Sequence, residues 1–269
     1  MKRRIGWIVG CLLAGGLGLQ AQNRLDEQGR KTGAWVVEYP NGKTRYTATF
    51  REGRPVGEML RYDEKGALQA RMMFGEDGTR NYTHMYYRNK QTAAEGWYVG
   101  QEKDSVWTYY SEFDGSVRFR EPYIAGKRWG TVVHYFQSGL VSEELDYAED
   151  VRHGTWRQYH TDGSLRLTGH YDRDRLDGPY AVYYPDSTLK VEGQYLGDKA
   201  HGQWRYYDED GTELYTIEFR EGNATDQKRY LEMMQDSLDR MIPPGEPLET
   251  TPDDPGSFLP GGMPPVRKP

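Results

Sequence analysis

The sequence predicts an all-β fold: an elongated, single-layer antiparallel sheet of repeated β-hairpins, solenoid-like, with a short C-terminal helix. Three observations lead there. Units beginning at Gly33, Gly57, Asn81, Ser105, Gly130, Gly154, Gly178 and Gly202 follow one another at a step of 24 residues, with a single step of 25. Within these units an aromatic side chain recurs about every 12 residues, at 15 of 16 expected sites, in a chain that is 13% aromatic. Pairs of Gly, Asn and Asp fall between the aromatics, and these residue types tolerate the positive φ that tight hairpin turns require.

The elements follow in chain order. Lys2, Arg3 and Arg4 precede an apolar, Gly-containing stretch from Ile5 to Leu19, and Gln20-Ala21-Gln22 comes next. That is the order of a secretory signal peptide over residues 1–21, cut after Ala21. The stretch is too short and too rich in Gly for a membrane span, and an uncleaved anchor is the alternative. Ile8-Val9-Gly10-Cys11 has the form of a lipobox, but the apolar run continues past Cys11 and places it inside the signal. The chain is therefore expected to be exported: periplasmic, outer-membrane associated or extracellular. With its only cysteine removed, the mature chain has no disulfide brace, thiolate ligand or cysteine nucleophile.

Residues 22–32 form a lead-in. Eight hairpin repeats occupy residues 33–222. Position 3 of the unit holds Trp35, Met59, Thr83, Trp107, Val132, Trp156, Tyr180 and Trp204. Position 6 holds Glu38 and then Tyr62, Tyr86, Tyr110, Tyr135, Tyr159, Tyr183 and Tyr207. Position 18 holds Phe50, Phe74, Tyr98, Tyr123, Tyr147, Tyr171, Tyr195 and Phe219. Stretches such as Trp35-Val36-Val37-Glu38-Tyr39 and Gln203-Trp204-Arg205-Tyr206-Tyr207 have the β-branched and aromatic content of strands. Asn41-Gly42, Lys65-Gly66, Asp162-Gly163 and Asp210-Gly211 mark one set of turns, and Glu52-Gly53, Ala125-Gly126 and Glu221-Gly222 the other. The one added residue lies in the turn Glu112-Phe113-Asp114-Gly115.

About sixteen strands at ~4.8 Å each would extend roughly 75 Å if uncurled. Each hairpin buries its aromatics against its neighbours, so stability is a sum of local interfaces. The position 6 and position 18 aromatics are expected to be the repeat core. The position 3 row, with Trp35, Trp107, Trp156, Tyr180 and Trp204, is the candidate binding row. Strand alternation puts positions 3 and 6 on opposite faces unless a bulge intervenes, and both assignments of the inner row remain open.

The stretch Leu196-Gly197-Asp198-Lys199-Ala200-His201-Gly202-Gln203-Trp204-Arg205-Tyr206-Tyr207-Asp208-Glu209-Asp210-Gly211 resembles the MORN repeat in its bacterial variant form. Arg152-His153-Gly154-Thr155-Trp156 through Tyr159, Asp162 and Gly163 repeats the pattern, as do Gly33-Ala34-Trp35 through Tyr39, Asn41 and Gly42. The resemblance covers residues 33 to about 222 and is weakest from 81 to 105, where Asn81 replaces Gly, Thr83 replaces Trp and Lys90 fills a turn position. It implies hairpin units in an elongated sheet, and scaffolding or partner binding rather than catalysis. For some bacterial members it also implies an antitoxin-component role, the binding of a toxin protein. Phospholipid binding is implied for eukaryotic relatives.

The formal charge of −6, or −6 − 3 = −9 without Lys2, Arg3 and Arg4, disfavours nucleic acid and leaves membrane association weak. His84, His134, His153, His160, His170 and His201 form no ligand cluster, so no metal and no cofactor are expected. Glu143-Glu144 and Asp208-Glu209-Asp210 sit on solvated faces or turns, and no nucleophile elbow or phosphate loop occurs, so no catalytic residues are assigned and the chain is read as a non-enzyme. The partner expected is a protein of the cell envelope. The alternative is a cell-wall glycan or choline-type ligand stacked on exposed Trp and Tyr rows.

Beyond Gly222, a helix over 223–242 is predicted, with Asn223 or Thr225 as its cap and Asp226 in the first turn. Tyr230, Leu231, Met234, Leu238, Met241 and Ile242 would form its apolar stripe, and Pro243-Pro244 would end it. Such a helix caps a solenoid by covering the edge of its last strand. Residues 243–269, rich in Pro, Gly and acid, read as a disordered tail.

Overall fold

The computed structural model describes residues 22–241, with side chains described as far as Ser237. The expected signal peptide and Pro-rich tail lie outside the described residues, as do Ile242 and the side chains of Leu238 and Met241. The described chain folds into one antiparallel sheet of 20 strands followed by a helix, Gln227–Met241. Sixteen strands have six to nine residues, running from Lys31–Glu38 to Glu213–Arg220. Four are two-residue pieces: Arg24–Leu25, Lys127–Arg128, Arg175–Leu176 and Asn223–Ala224. Each long strand pairs with those before and after it in sequence, so strand pairing is local.

Two turn types alternate along the sheet. In the first, the Tyr39 N–H donates to the Lys43 carbonyl and the Gly42 N–H to the Tyr39 carbonyl, at 2.8 and 2.9 Å. Gly42 has φ +77°, as a type I turn followed by a left-handed residue requires. The loop at Glu112–Gly115 is one residue longer, closing from the Ser111 N–H to the Ser116 carbonyl. In the second type, two residues both have positive φ, as at Glu52-Gly53 (50° and 83°) and Glu149-Asp150 (51° and 71°). These are the mirror-image turns whose twist matches paired strands.

The unit's first residue lies in a bulge. Between the pairs Glu192↔Arg205 and Gln194↔His201, the single residue Gly193 stands opposite Gly202–Trp204. Gly202 takes φ +68° there, and Gly33, Gly57, Gly130, Gly154 and Gly178 are likewise positive. The unit of weakest resemblance departs at this point. Asn81 pairs with Phe74 in unbroken register and has no positive φ. The residues that elsewhere make the bulge lengthen the preceding turn, which spans Glu76–Thr79 between Gly75 and Arg80. The unit keeps its length for that reason, while Lys90 occupies an ordinary turn at φ +71°.

Register settles which aromatics face inward. Trp35 pairs with Ala48 and Gly33 with Phe50, so positions 3 and 18 share a face, and the rings of Trp35 and Phe50 meet edge to face at 6.0 Å. Position 6 lies on the opposite face. The inner face is most completely closed at the C-terminal end. There Tyr180, Val182, Val191, Tyr195, Trp204, Tyr206, Ile217 and Phe219 join Tyr230 and Met233 of the helix in one buried cluster.

The helix starts differently from the expectation. Asp226 is the cap, its Oδ1 accepting the Arg229 N–H at 3.0 Å. Asn223 is held in a two-residue strand, and Thr225 is tied to the sheet through the Glu218 carbonyl. Tyr230 and Met233 are buried and Met234 packs beside them, whereas Leu231 is 64% exposed. The helix lies over the inner face rather than along the last strand's edge. At the opposite end, the Asn23 side chain blocks the first long strand. Its Nδ2 donates to the Val36 carbonyl and its Oδ1 accepts the Val36 N–H, both at 2.9 Å. Such a plug removes edge groups that would otherwise template pairing.

Candidate interaction surface

The position 3 row is core, which corrects its assignment as a binding row. Trp107 and Trp204 have no exposed surface and Tyr180 is buried. Trp35 and Trp156 are half-buried in the same inner row. A ring enclosed on both faces offers nothing to a ligand. The reason they fit is a small residue opposite them that the sequence reading did not single out. A Cβ built on Gly96 would lie 2.5 Å from the Trp107 ring, and one on Gly193 would overlap the Trp204 ring. Gly169, on the following strand, faces Trp156 more loosely, a Cβ there lying 3.2 Å from the ring. Glycine at unit position 16, aligned against the Trp positions, was the available signal.

The position 18 aromatics do belong to the inner face. Tyr171, Tyr195 and Phe219 are buried, and Phe50, Phe74, Tyr98, Tyr123 and Tyr147 are half-buried. The position 6 tyrosines, expected as core, form a half-buried ladder on the outer face instead. Their hydroxyls reach a carboxylate on the preceding strand: Tyr110 to Glu95 at 2.6 Å, Tyr159 to Glu144 at 2.8 Å, Tyr207 to Glu192 at 2.8 Å. Burial and the Glu95 carboxylate push the Tyr110 phenol up to about 12. Arg157 and Arg205 flank the later two carboxylates at 3.6 and 3.0 Å. Tyr62, Tyr86, Tyr135 and Tyr183 occupy the same row, with the Arg120 guanidinium 5.6 Å from the Tyr135 ring.

Several inner positions in the middle units are polar. Two residues before the unit start, a cation lies over the aromatic groups. Lys103 Nζ is 5.0 Å from the Trp107 ring, 5.1 Å from Tyr109 and 4.8 Å from Tyr123. Burial holds the Lys103 ammonium below its ordinary range, partly offset by Glu121. The same burial, with the hydrogen bond to Glu121, pushes Tyr123 up to about 12. Arg128 and Arg152 repeat the arrangement over Tyr147 and Tyr171 at 4.2 and 4.4 Å. Leu176 and Ala200 fill that place in the last two units.

The outer face of the middle units carries a group of exposed apolar side chains. Met73, Val99, Val106, Ile124 and Trp129 are between 43% and 58% exposed. Register links them in a stripe of two adjoining runs: Met73 pairs with Tyr82 and Tyr82 with Trp97, which faces Asp104, while Val106 pairs with Pro122, whose carbonyl accepts the Trp129 N–H. Tyr82 meets Trp97 edge to face at 5.1 Å, and the Arg80 guanidinium covers Trp97 at 4.1 Å. At strand spacing the stripe crosses about 25 Å. Most of the equivalent positions further along are polar: Val106 corresponds to Thr155 and Gln203, Trp97 to His170, Gln194 and Glu218, Trp129 to His153 and His201, and Ile124 to Asp172 and Arg220, while in the unit between them Pro179 takes the Val106 place and an exposed Leu196 the Ile124 place. Asp146 replaces Pro122 in the next unit and is hydrogen-bonded to Thr131 Oγ1 at 2.6 Å and the Thr155 N–H at 2.9 Å. The hairpin therefore folds without apolar residues at these sites.

This geometry places the comparison with known proteins. Residues 152–173 match the MORN repeat variant. That stretch is one hairpin, and its bracing recurs in other units. Arg152 binds Asp174 through its backbone N–H and Nε, at 3.1 and 2.9 Å, and Arg128 binds Asp150 the same way. At the other sheet edge, Tyr39, Tyr87 and Tyr184 each donate to a carbonyl 23 residues on. The matched MORN-variant hairpin is thus one of a structurally repeated series. No curated protein matches the chain. Among solved structures, the crystal structures of TcdB2-TccC3-TEV and TcdB2-TccC3-Cdc42 align with 74% and 75% of this chain, at 13% and 14% identity and TM-scores of 0.19 and 0.18. The aligned part spans 13% of each of those chains, and at such TM-scores the likeness carries no weight.

Proposed function

We propose that the chain is an exported, non-enzymatic repeat scaffold that docks a protein partner in the cell envelope through the outer-face stripe from Met73 to Trp129. Export rests on the basic start and apolar run of residues 1–21. Docking rests on the stripe itself. These apolar side chains are half-exposed together at positions where two later units have Thr, Gln, His, Asp and Arg, so the hairpin does not require them. Contiguous exposed apolar surface of this kind marks interaction sites, and covering the exposed half of a Val, Ile or Met yields roughly 1 kcal/mol each. Neutralising a toxin, as the resemblance implies for some bacterial members, would be one form of such binding.

A photo-crosslinking amino acid at Val106 and at Ile124, tested in the native envelope, should capture one protein. The same probe at the equivalent Gln203 and Arg220 should not. Equal labelling at both pairs of sites, or none at either, would remove this reading.

A second reading, a cell-wall glycan stacked on aromatics, is favoured by the exposure of Trp129 in the same stripe. Saturable quenching of tryptophan fluorescence by soluble peptidoglycan fragments, lost in Trp129→Ala, would select it over a protein partner.

A further inference from the structure

The plug at the N-terminal end of the sheet depends on Asn23. Its Nδ2 donates to the Val36 carbonyl and its Oδ1 accepts the Val36 N–H, both at 2.9 Å. Its backbone N–H donates to the Ala34 carbonyl at 2.9 Å. Beyond it, only Arg24 and Leu25 pair with the first long strand on this side, at Thr32 and Lys31. Without Asn23 the N–H and C=O of Val36 would stand open on an edge strand, the arrangement that templates pairing with other chains. Gln22 immediately precedes this plug. It is exposed and makes no hydrogen bond among the described residues.

Signal cleavage after Ala21 makes Gln22 the first residue of the chain, directly ahead of the plug. An α-amine titrates at about 8, so about a tenth of it is the neutral nucleophile at neutral pH. In an N-terminal glutamine that nitrogen reaches its own side-chain amide carbon and closes a lactam ring. The bond from the amine nitrogen to Cδ forms, and the bond from Cδ to the amide nitrogen breaks. The amide nitrogen leaves as ammonia, carrying the proton that the amine gives up. No oxidant, metal or second substrate takes part. Exposed and untethered, Gln22 is free to bring the two groups together while Asn23 behind it stays fixed.

We propose that Gln22 is a modification site: after export it cyclises to pyroglutamate and blocks the chain end directly ahead of the Asn23 plug. The proposal rests on the export reading, through the cut after Ala21, and not on the outer-face stripe. A lactam end has neither the charge nor the free amine of an ordinary N-terminus. An aminopeptidase therefore has nothing to grip, Asn23 is retained and the edge stays closed.

Intact mass and N-terminal peptide sequencing of the full chain, expressed with its own residues 1–21 in a secreting host, test the inference. The exported protein should begin at residue 22, weigh one ammonia less than its glutamine form, and take up no amine-reactive label at that residue. Gln22→Ala should be exported with a free amine. Treated with an aminopeptidase, it should lose residue 22 and Asn23, and the Val36 amide should then exchange as fast as in Asn23→Ala. The wild type should keep both residues and its protection at Val36. A chain that retains Met1 or is cut elsewhere removes the cleavage on which the proposal rests, and the proposal with it. A chain that begins at Gln22 with a free amine overturns the proposal alone. Equal trimming of the wild type and Gln22→Ala overturns the protection of the plug.

Discussion

The closed C-terminal end and the middle of the sheet share one backbone unit but distribute polarity in opposite ways. At the closed end the centre of the inner face is apolar, from Tyr180 to Phe219. Leu176 and Ala200 stand where other units have a cation, and the helix covers the surface. The outer face there is mostly polar, though Leu196 is exposed on it. In the middle, the inner face admits Lys103, Arg128, Glu121 and His134 among its aromatics, with Phe119 stacked on His134 at 5.3 Å. The outer face there carries the apolar side chains from Met73 to Trp129 beside its tyrosine–carboxylate ladder. The hairpin ladder is the same in both regions, and the middle departs from it in the lengthened turns at Glu76–Thr79 and Glu112–Gly115. Backbone pairing therefore sets the unit, and each face's polarity is free to serve another purpose. At the closed end that purpose is sealing the sheet. In the middle, the exposed stripe is left for a partner.

The sharpest way to break this comparison is to remove the central ring of each region. Trp204→Ala and Trp107→Ala should each cost about 3–5 kcal/mol, the usual range for a buried Trp. Because contacts are local, hydrogen exchange should show the loss confined to the mutated region and its neighbours. A uniform loss of protection across all units in either variant would make the sheet one cooperative body and void the distinction. Next in size, Gly96→Ala and Gly193→Ala each press a methyl group into a Trp ring and should cost about 1–3 kcal/mol in denaturant titrations. Equal effects would show that both regions pack their Trp with the same tolerance. A negligible effect at Gly96 alone would show the middle to be looser.

Alkali should act on both regions. Burial raises Tyr180 at the closed end and Tyr123 in the middle, each to about 12. A phenol whose folded value is raised contributes stability that is fully present below its unfolded value of 10.0 and lost as pH rises toward the folded one. Melting temperature should therefore fall between about pH 10 and pH 12, with a late tyrosinate absorbance step that Tyr123→Phe and Tyr180→Phe each reduce. Acid should act through the loops. Hydrogen bonds from the Ser164 and Thr188 backbones hold the Asp162 and Asp186 carboxyls below their usual range. A depressed carboxyl contributes stability present above its unfolded value of 3.8 and lost as pH falls below it. Asp162→Asn with Asp186→Asn should flatten that acid limb, since Asn41 already makes the same turn bond, accepting the Lys43 N–H at 3.0 Å. The smallest effect is expected on the stripe. Val106→Gln with Ile124→Arg, which copies the last unit, should change stability by no more than about 0.5 kcal/mol, the usual range for surface positions. A cost above about 2 kcal/mol would mean that the stripe supports the fold.

The residues differ in how far they could be read without coordinates. The 24-residue step, the positive-φ turn pairs and the terminal helix are local patterns, and local pattern is what a chain with only neighbouring contacts displays. Glu112–Gly115 was legible for the same reason, since an added residue must be placed in a loop. The position 3 row was not, because alternation assigns Trp204 and Tyr207 to opposite faces without saying which face is covered. Nor was Asp226 as the helix cap, since Asn223 and Thr225 are equally good caps until the sheet claims them.

The sequence by itself determined the repeat, the strand direction and the sites of the turns, because these follow from spacing and from the φ preferences of single residues. Only the tertiary structure decided which side of the ribbon is closed. That outcome depends on register across bulges, on glycines that admit Trp rings from the next strand, and on a helix folding back over one face. None of these is a property of any one unit taken alone.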